Sequence, residues 1–205
     1  MEDNTGIKYF LRMHFFYSLL QEVVGGNKFR KKFITDCVRA KPGEKVVEIG
    51  CGPAQLFPWL SGVNYIGLDT NKGYIEAAQK KYGSRGLFLV GDTKILEDDQ
   101  RLFNADLVIC SAILHHLDDE EVVHAMRFAY NVLRAGGRLV CGEPCWVPNQ
   151  GFLSKLIMSN DRGKNIRTEN GYRTLLERVF LHVKTTLDMR PLRIPTTSVF
   201  IECIK

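Results

Sequence analysis

The sequence predicts an α/β domain built on a mostly parallel sheet, and three observations carry the prediction. Short apolar runs rich in β-branched and aromatic residues, KVVEI, YIGLD and GLFLV, recur without helical period, as expected of strands buried on both faces. Each run carries an acid at or beside its carboxyl end: Glu48, Asp69 and Asp92. Between two later runs lies DEEVVHAMRFAYNVLRAGG, whose apolar residues follow the helical period.

The elements follow in chain order. Residues 5–24 form an aromatic-rich helical pattern (Tyr9, Phe10, Met13, Phe15, Phe16, Tyr17, Leu20, Val23) broken by Gly25-Gly26. That helix has too many rings for one narrow stripe, so it is either doubly buried or a lid whose inner face meets substrate. A second helix, about 27–39, leads to the turn Lys41-Pro42-Gly43. In the first strand Val46, Val47 and Ile49 run into Gly50 and Gly52, which let the backbone turn sharply and approach a ligand. Pro53 follows where a helix can begin. Asp118 is a good N-cap for the helix containing Val122, Val123, Met126, Ala129, Tyr130 and Leu133, which Gly136 or Gly137 should end. Arg138 to Cys141 start the fifth strand, leaving Glu143-Pro144-Cys145-Trp146 at its carboxyl end. Residues 169–180 read as a helix behind Thr168, and the runs HVKTTLDM and TSVFIECI read as a closing antiparallel hairpin.

A glycine turn between strand and helix is a weak signal alone, and the residues around it narrow the ligand. A dinucleotide fingerprint wants a third glycine where this chain has Gln55, and no Gly-Lys-Ser/Thr phosphate loop follows. Three strand ends bearing carboxylates would repel a pyrophosphate. They suit a ligand with a ribose diol for Asp69, an amino group for Asp92 and a positive charge.

These residues resemble class I S-adenosylmethionine-dependent methyltransferases over roughly residues 30–145. VEIGCGP looks like that family's first motif, Asp69 like its ribose acid and GDT (91–93) like its adenine-side motif. ADLVICSAILHHL is similar to its fourth strand and following loop, and LRAGGRLV to its turn into the fifth. The chain departs from the family pattern at Cys51 to Gln55, where many members carry a third glycine or a Gly-Gly pair. The resemblance implies a three-layer Rossmann-like sandwich with a seven-stranded sheet edged by the hairpin. It also implies S-adenosylmethionine as cofactor, held by Glu48, Gly50, Cys51, Gly52, Asp69, Thr70, Asp92, Thr93 and Ser111. In phosphobase methyltransferases a catalytic histidine works with an amino-terminal tyrosine. His115 matches that histidine, and Tyr9 or Tyr17 would be its partner. Of the adjacent pair His115 and His116, one is expected to face the site and the other to pack.

Methyl transfer to a small-molecule or lipid-like acceptor, possibly anionic, is the function this implies. Its rivals are a non-catalytic scaffold or sensor that keeps the nucleotide site, an RNA or protein methyltransferase, and a nicotinamide-dependent oxidoreductase. Pro144-Cys145 is similar to the nucleophilic cysteine of pyrimidine methyltransferases, but no RNA-binding appendage accompanies it. Nor does the loop after the fourth strand carry the Asn/Asp-Pro-Pro-Tyr/Phe of amino-directed enzymes.

Composition bounds these readings. A chain of 205 residues with 45% hydrophobic and 25% charged residues is expected to form one globular domain over 1–205: a helical lid (1–40), a cofactor core (41–145) and a substrate side (146–205). The net charge of +5 lies in the flanks, since residues 46–150 carry nine Lys/Arg against 13 Asp/Glu. Arg162, Lys164, Arg167 and Arg173 cluster in sequence. They read as solvated surface, with binding of a carboxylate, phosphate or lipid headgroup as the alternative. Without an aromatic platform among the basic residues, nucleic acid is disfavoured. Six cysteines in no zinc spacing, no membrane-length apolar run and no basic leader predict reduced thiols, a cytoplasmic location and no metal.

Overall fold

A computed structural model of the chain describes residues 26–159, 163–189 and 196–205. The aromatic pattern over 5–24, with Tyr9 and Tyr17, lies outside the described residues, as do Arg162, Pro191 and Pro195. Helix α1 (Gly26–Lys32) continues into a π-helical turn (Phe33–Val38) that Arg39 ends in the left-handed region at φ 46°. Strands β1 (Lys45–Ile49), β2 (Asn64–Asp69), β3 (Leu87–Val90), β4 (Ala105–Ser111) and β5 (Leu133–Trp146) follow. Helices α2 (Lys72–Tyr82) and α3 (Asp119–Val132) are interleaved with them. After β5 come α4 (Phe152–Ser159), the two-residue β6 (Arg167–Thr168), α5 (Glu169–Glu177), β7 (His182–Asp188) and β8 (Ser198–Ile204).

The sheet order is β3-β2-β1-β4-β5-β8-β7, with β6 beside the end of β5. Pairings among β1 to β5 are parallel, and β8 runs antiparallel to both β5 and β7. The expected mixed α/β sheet with its antiparallel closing hairpin is therefore what the chain forms. Period-two alternation divides β1 between two cores: Val47 and Ile49 pack with Leu68, Val108 and Met126, while Val46 packs with Phe33, Tyr65 and Leu107. Burying each such side chain contributes roughly 1.5–3 kcal/mol, so the two faces hold β1 and β4 at the centre. Strand order reverses between β1 and β4, which opens a crevice at their carboxyl ends.

The caps agree with the sequence reading. Asp118 accepts from Glu121 N while the Glu121 side chain accepts from Asp118 N, and Thr168 accepts from Gly171 N at 3.1 Å. Several boundaries differ, the fifth strand starting at Leu133 rather than Arg138 and the helix after Thr168 ending at Glu177 among them. Pro53 starts no α-helix, because Ala54 turns left-handed at φ 56° and the chain continues to a short 3₁₀ turn at Phe57–Trp59. Helix α3 ends at Val132, before either glycine, since Leu133 is already extended and paired with Ala105 of β4. Gly137 serves that join: a Cβ there would stand 2.9 Å from the Arg134 carbonyl and 3.0 Å from that of Ala105.

Candidate active site

The crevice holds a cavity of about 280 Å³. It is lined by the apolar side chains of Ile49, Leu68, Ile113, Leu117 and Ala125 and by polar residues that include Asp69, Thr70, Asp92, Thr93, Lys94, His116, Glu121 and His124. An apolar lining with a few polar groups is the usual build of a small-ligand site.

Asp69 is set before any ligand arrives. Its Oδ2 accepts from Gly52 N and its Oδ1 from Asn71 N, both at 2.8 Å, so the carboxylate ties the β1 turn to the start of α2. Each oxygen keeps a second lone pair for a hydroxyl. Asp92 accepts from Lys94 N and Ile95 N through Oδ1, and these bonds hold its carboxyl below the usual range. The two glycines differ in use. A Cβ on Gly50 would lie 2.1 Å from Ile113 Cδ1, whereas one on Gly52, at φ 53°, would meet nothing within 4 Å. Gly50 makes room for Ile113 over the turn, and Gly52 leaves open space beside Asp69. Gln55, where the third glycine is missing, accepts from Arg30 and so fastens the turn to α1.

Other expected ligand-binding residues sit elsewhere. Glu48 is buried on the opposite face of β1, takes a hydrogen bond from Tyr65 Oη at 2.5 Å and does not line the cavity. Burial pushes its carboxyl up to about 8. Cys51 turns its thiol the same way, onto Gly67, where a Cβ would stand 2.8 Å from Sγ. Ser111, at the end of β4, is half-buried and also off the cavity wall. Thr70 and Thr93 are on it.

The two histidines part company in the 3₁₀ turn Leu114–His116. His116 is exposed on the cavity wall, and His115 is buried beneath it with ring centroids 4.1 Å apart. Glu143, at the carboxyl end of β5 and 1% exposed, is the group that organises this turn. Its Oε1 accepts from Ile113 N (2.9 Å) and Leu114 N (3.0 Å), and its Oε2 from His115 N (3.3 Å) and His115 Nδ1 (2.7 Å). Arg167 holds the same turn from outside, donating to the carbonyls of Leu114 (3.0 Å), Leu117 (2.9 Å) and Asn165 (3.0 Å) and to Asp119 Oδ1. Arg167 is thereby a structural clamp, and Arg173 lies 3.7 Å from Glu177. Sequence reading passed over Glu143 as a role and took Arg167 for surface. Most of their partners are backbone groups, which leave no signature in side-chain spacing.

Cys145 is fully buried, and burial pushes its thiol up to about 11, which removes the thiolate that covalent attack on a pyrimidine would need. No helix among the described residues is long and apolar enough to cross a membrane.

Comparison with known proteins places this arrangement. A family model described as a methyltransferase domain matches residues 47–141, which span β1 through the middle of β5. A 37.1 kDa protein in transposon TN4556 of Streptomyces fradiae is 33% identical over 125 residues, covering 57% of this chain and 34% of that protein. The chain thus spans about a third of that relative's length. The ubiquinone/menaquinone biosynthesis C-methyltransferase of Haemophilus ducreyi is 25% identical over 186 residues, covering 82% of this chain and 70% of the relative. Among solved structures, an S-adenosylmethionine-dependent methyltransferase from Archaeoglobus fulgidus superposes with a TM-score of 0.73 at 18% identity, covering 92% of this chain and 99% of that one.

Proposed function

We propose that the chain is a class I S-adenosylmethionine-dependent methyltransferase and that it transfers the cofactor's methyl group to a small organic or lipid-like acceptor, a reading supported by the methyltransferase-domain match over residues 47–141 and the shared fold. The observation that carries the reading is the pair of carboxylates, Asp69 and Asp92, at adjacent strand ends in the lining of one cavity. Asp69 has the lone pairs a ribose diol needs, Asp92 those an adenine amino group needs, and the open side of Gly52 admits a ligand edge. The residues present therefore fit the cofactor.

When bound, S-adenosylmethionine supplies an activated methyl group. The chain's own tasks are then to orient an acceptor, exclude water and, where the acceptor must lose a proton, to take it. We assign that last task to His115, which is buried off the cavity wall that His116 lines and so must gain access to the acceptor when the ligands bind. Glu143 facing Nδ1 makes that nitrogen the donor, so in the neutral ring Nε2 is the basic nitrogen. Of the proteins named above, one is named a C-methyltransferase and one an S-adenosylmethionine-dependent methyltransferase, so the acceptor atom is left to experiment.

Calorimetry with S-adenosylmethionine, S-adenosylhomocysteine and NAD tests the cofactor reading: the first two should bind and NAD should not. Binding of NAD alone would overturn it. Gly52→Val should abolish cofactor binding while lowering the free protein's stability by only about 1–2 kcal/mol, the strain of a β-branched residue at positive φ. A methyl-release assay over pooled small-molecule and lipid acceptors then identifies the substrate class. With an acceptor in hand, single-turnover rates should rise with pH through one titration in the parent and lose that step in His115→Gln but not in His116→Ala. Identical pH profiles in the parent and His115→Gln would remove the base from the mechanism.

A further inference from the structure

Glu143 closes one side of the His115 ring, and the backbone of Gly163 closes another. Gly163 is buried, and a Cβ built there would stand 1.9 Å from His115 Cδ2 and 2.8 Å from the His115 carbonyl oxygen. Only glycine lets the chain sit so low on the ring. Cδ2 is bonded to Nε2, so the covered edge is the one that carries the basic nitrogen. Two devices hold the segment down. Asn165 N donates to the His115 carbonyl at 3.0 Å, and Arg167 Nη1 donates to the carbonyls of Asn165 and Leu114, both at 3.0 Å. The guanidinium also reaches Asp119, which is exposed, so the outer end of this latch lies in water, where an ion pair contributes little.

We propose that residues 163–167 are a cover standing where the acceptor must stand, and that lifting them from the turn Leu114–His116 brings His115 Nε2 to the acceptor. Gly163 and Arg167 are then positioning residues, which act through His115 and touch no reacting atom. The proposal rests on His115 being the base. The cover, rather than the ring, is the part able to move. His115 is tied through its N and Nδ1 to a buried carboxylate that two further amides hold in place. Residues 163–166, by contrast, lie outside helix and strand, and β6 beyond them pairs with β5 over two residues. Segments with little regular hydrogen bonding open at a small fraction of the cost of global unfolding. The turn that the cover grips also contributes to the cavity lining, through His116 and its neighbours Ile113 and Leu117. A ligand in the cavity therefore contacts the same stretch of backbone that holds the cover, which couples cofactor binding to exposure of the base.

The test is histidine labelling of the intact chain with diethyl pyrocarbonate, resolved to single residues by fragmentation mass spectrometry, with the exposed His182 as internal reference. His115 of the parent should label at least about tenfold more slowly than His182. Gly163→Ala, whose methyl group cannot fit over the ring, should label His115 about tenfold faster than the parent, and Arg167→Lys, which keeps the charge but not the fork, should fall between. S-adenosylhomocysteine should slow labelling of His116 in the cavity lining. In the parent it should speed labelling of His115, and in Gly163→Ala, where the cover is already off, it should leave His115 unchanged. A segment that is only packing would not respond in this way, since a bound ligand would then slow both histidines. Labelling of His115 no faster in Gly163→Ala than in the parent would overturn the proposal, as would a His115 that the ligand slows along with His116. Should Gly163→Ala fail to fold, Arg167→Lys and the ligand response of the parent carry the same decision. Failure of S-adenosylhomocysteine to slow His116 is a different result, and it sinks the cofactor reading itself.

Discussion

Glu143→Ala should destabilise the protein by about 3–5 kcal/mol, the largest single effect expected outside the apolar cores. The carboxylate is buried and accepts four hydrogen bonds, three of them from consecutive backbone amides of the turn between β4 and α3. Alanine supplies no acceptor, and the enclosed amides cannot all turn to water, so most of their desolvation cost is left uncompensated at roughly 1–3 kcal/mol each. Arg167 on the outer side of the turn limits the loss, because its bonds to Leu114, Leu117 and Asp119 survive. Glu143→Gln separates geometry from charge. The amide keeps one acceptor oxygen but turns an NH₂ toward donors, so a smaller loss of about 1–2 kcal/mol is expected. For a chain of this size 1 kcal/mol corresponds to roughly 2–4 °C, so thermal melting should place the alanine variant roughly 6–20 °C below the parent. An alanine variant that melts within 2 °C of the parent would mean that the turn is held by Arg167 and packing alone.

The same residue marks the limit of what the sequence disclosed. The strand runs, their acids and the Asp118 cap were legible because each is a local pattern: apolar period, terminal side chain, capping box. The place of the hairpin at the edge of the sheet followed from the family resemblance. Glu143 was not legible as an organiser, because its partners are amides 28–30 residues earlier in the chain and any residue there would supply the same N–H. His115 and His116 could be separated only by knowing which way the turn winds. The Pro53 helix was overridden by a left-handed Ala54, and the end of α3 by the pairing of Leu133 with Ala105, both tertiary demands that local propensity does not contain. Glu48 shows the reverse case. It stands in the expected motif, yet strand alternation turns it to the other face, where Tyr65 meets it.

Asp69 is where the legible and the hidden parts of the site meet, and its removal should have the largest effect on ligand affinity. Asp69→Ala is expected to weaken binding of S-adenosylhomocysteine by ~2–4 kcal/mol, about 30- to 1,000-fold, on two grounds. The ribose would lose its charged acceptor, and the open face of the β1 turn would lose its support, since the carboxylate also receives Gly52 N and Asn71 N at 2.8 Å. The second ground is separable from the first. Asp69→Asn retains one oxygen and can keep one of the two backbone bonds, while its NH₂ faces an N–H donor on the other side. If support of the turn dominates, asparagine should therefore bind nearly as poorly as alanine and both variants should melt lower than the parent without ligand. If direct contact with the ribose dominates, asparagine should recover part of the affinity and the free proteins should melt alike. Calorimetry and melting on the three proteins decide between these, and unchanged affinity in both variants would remove Asp69 from the cofactor site altogether.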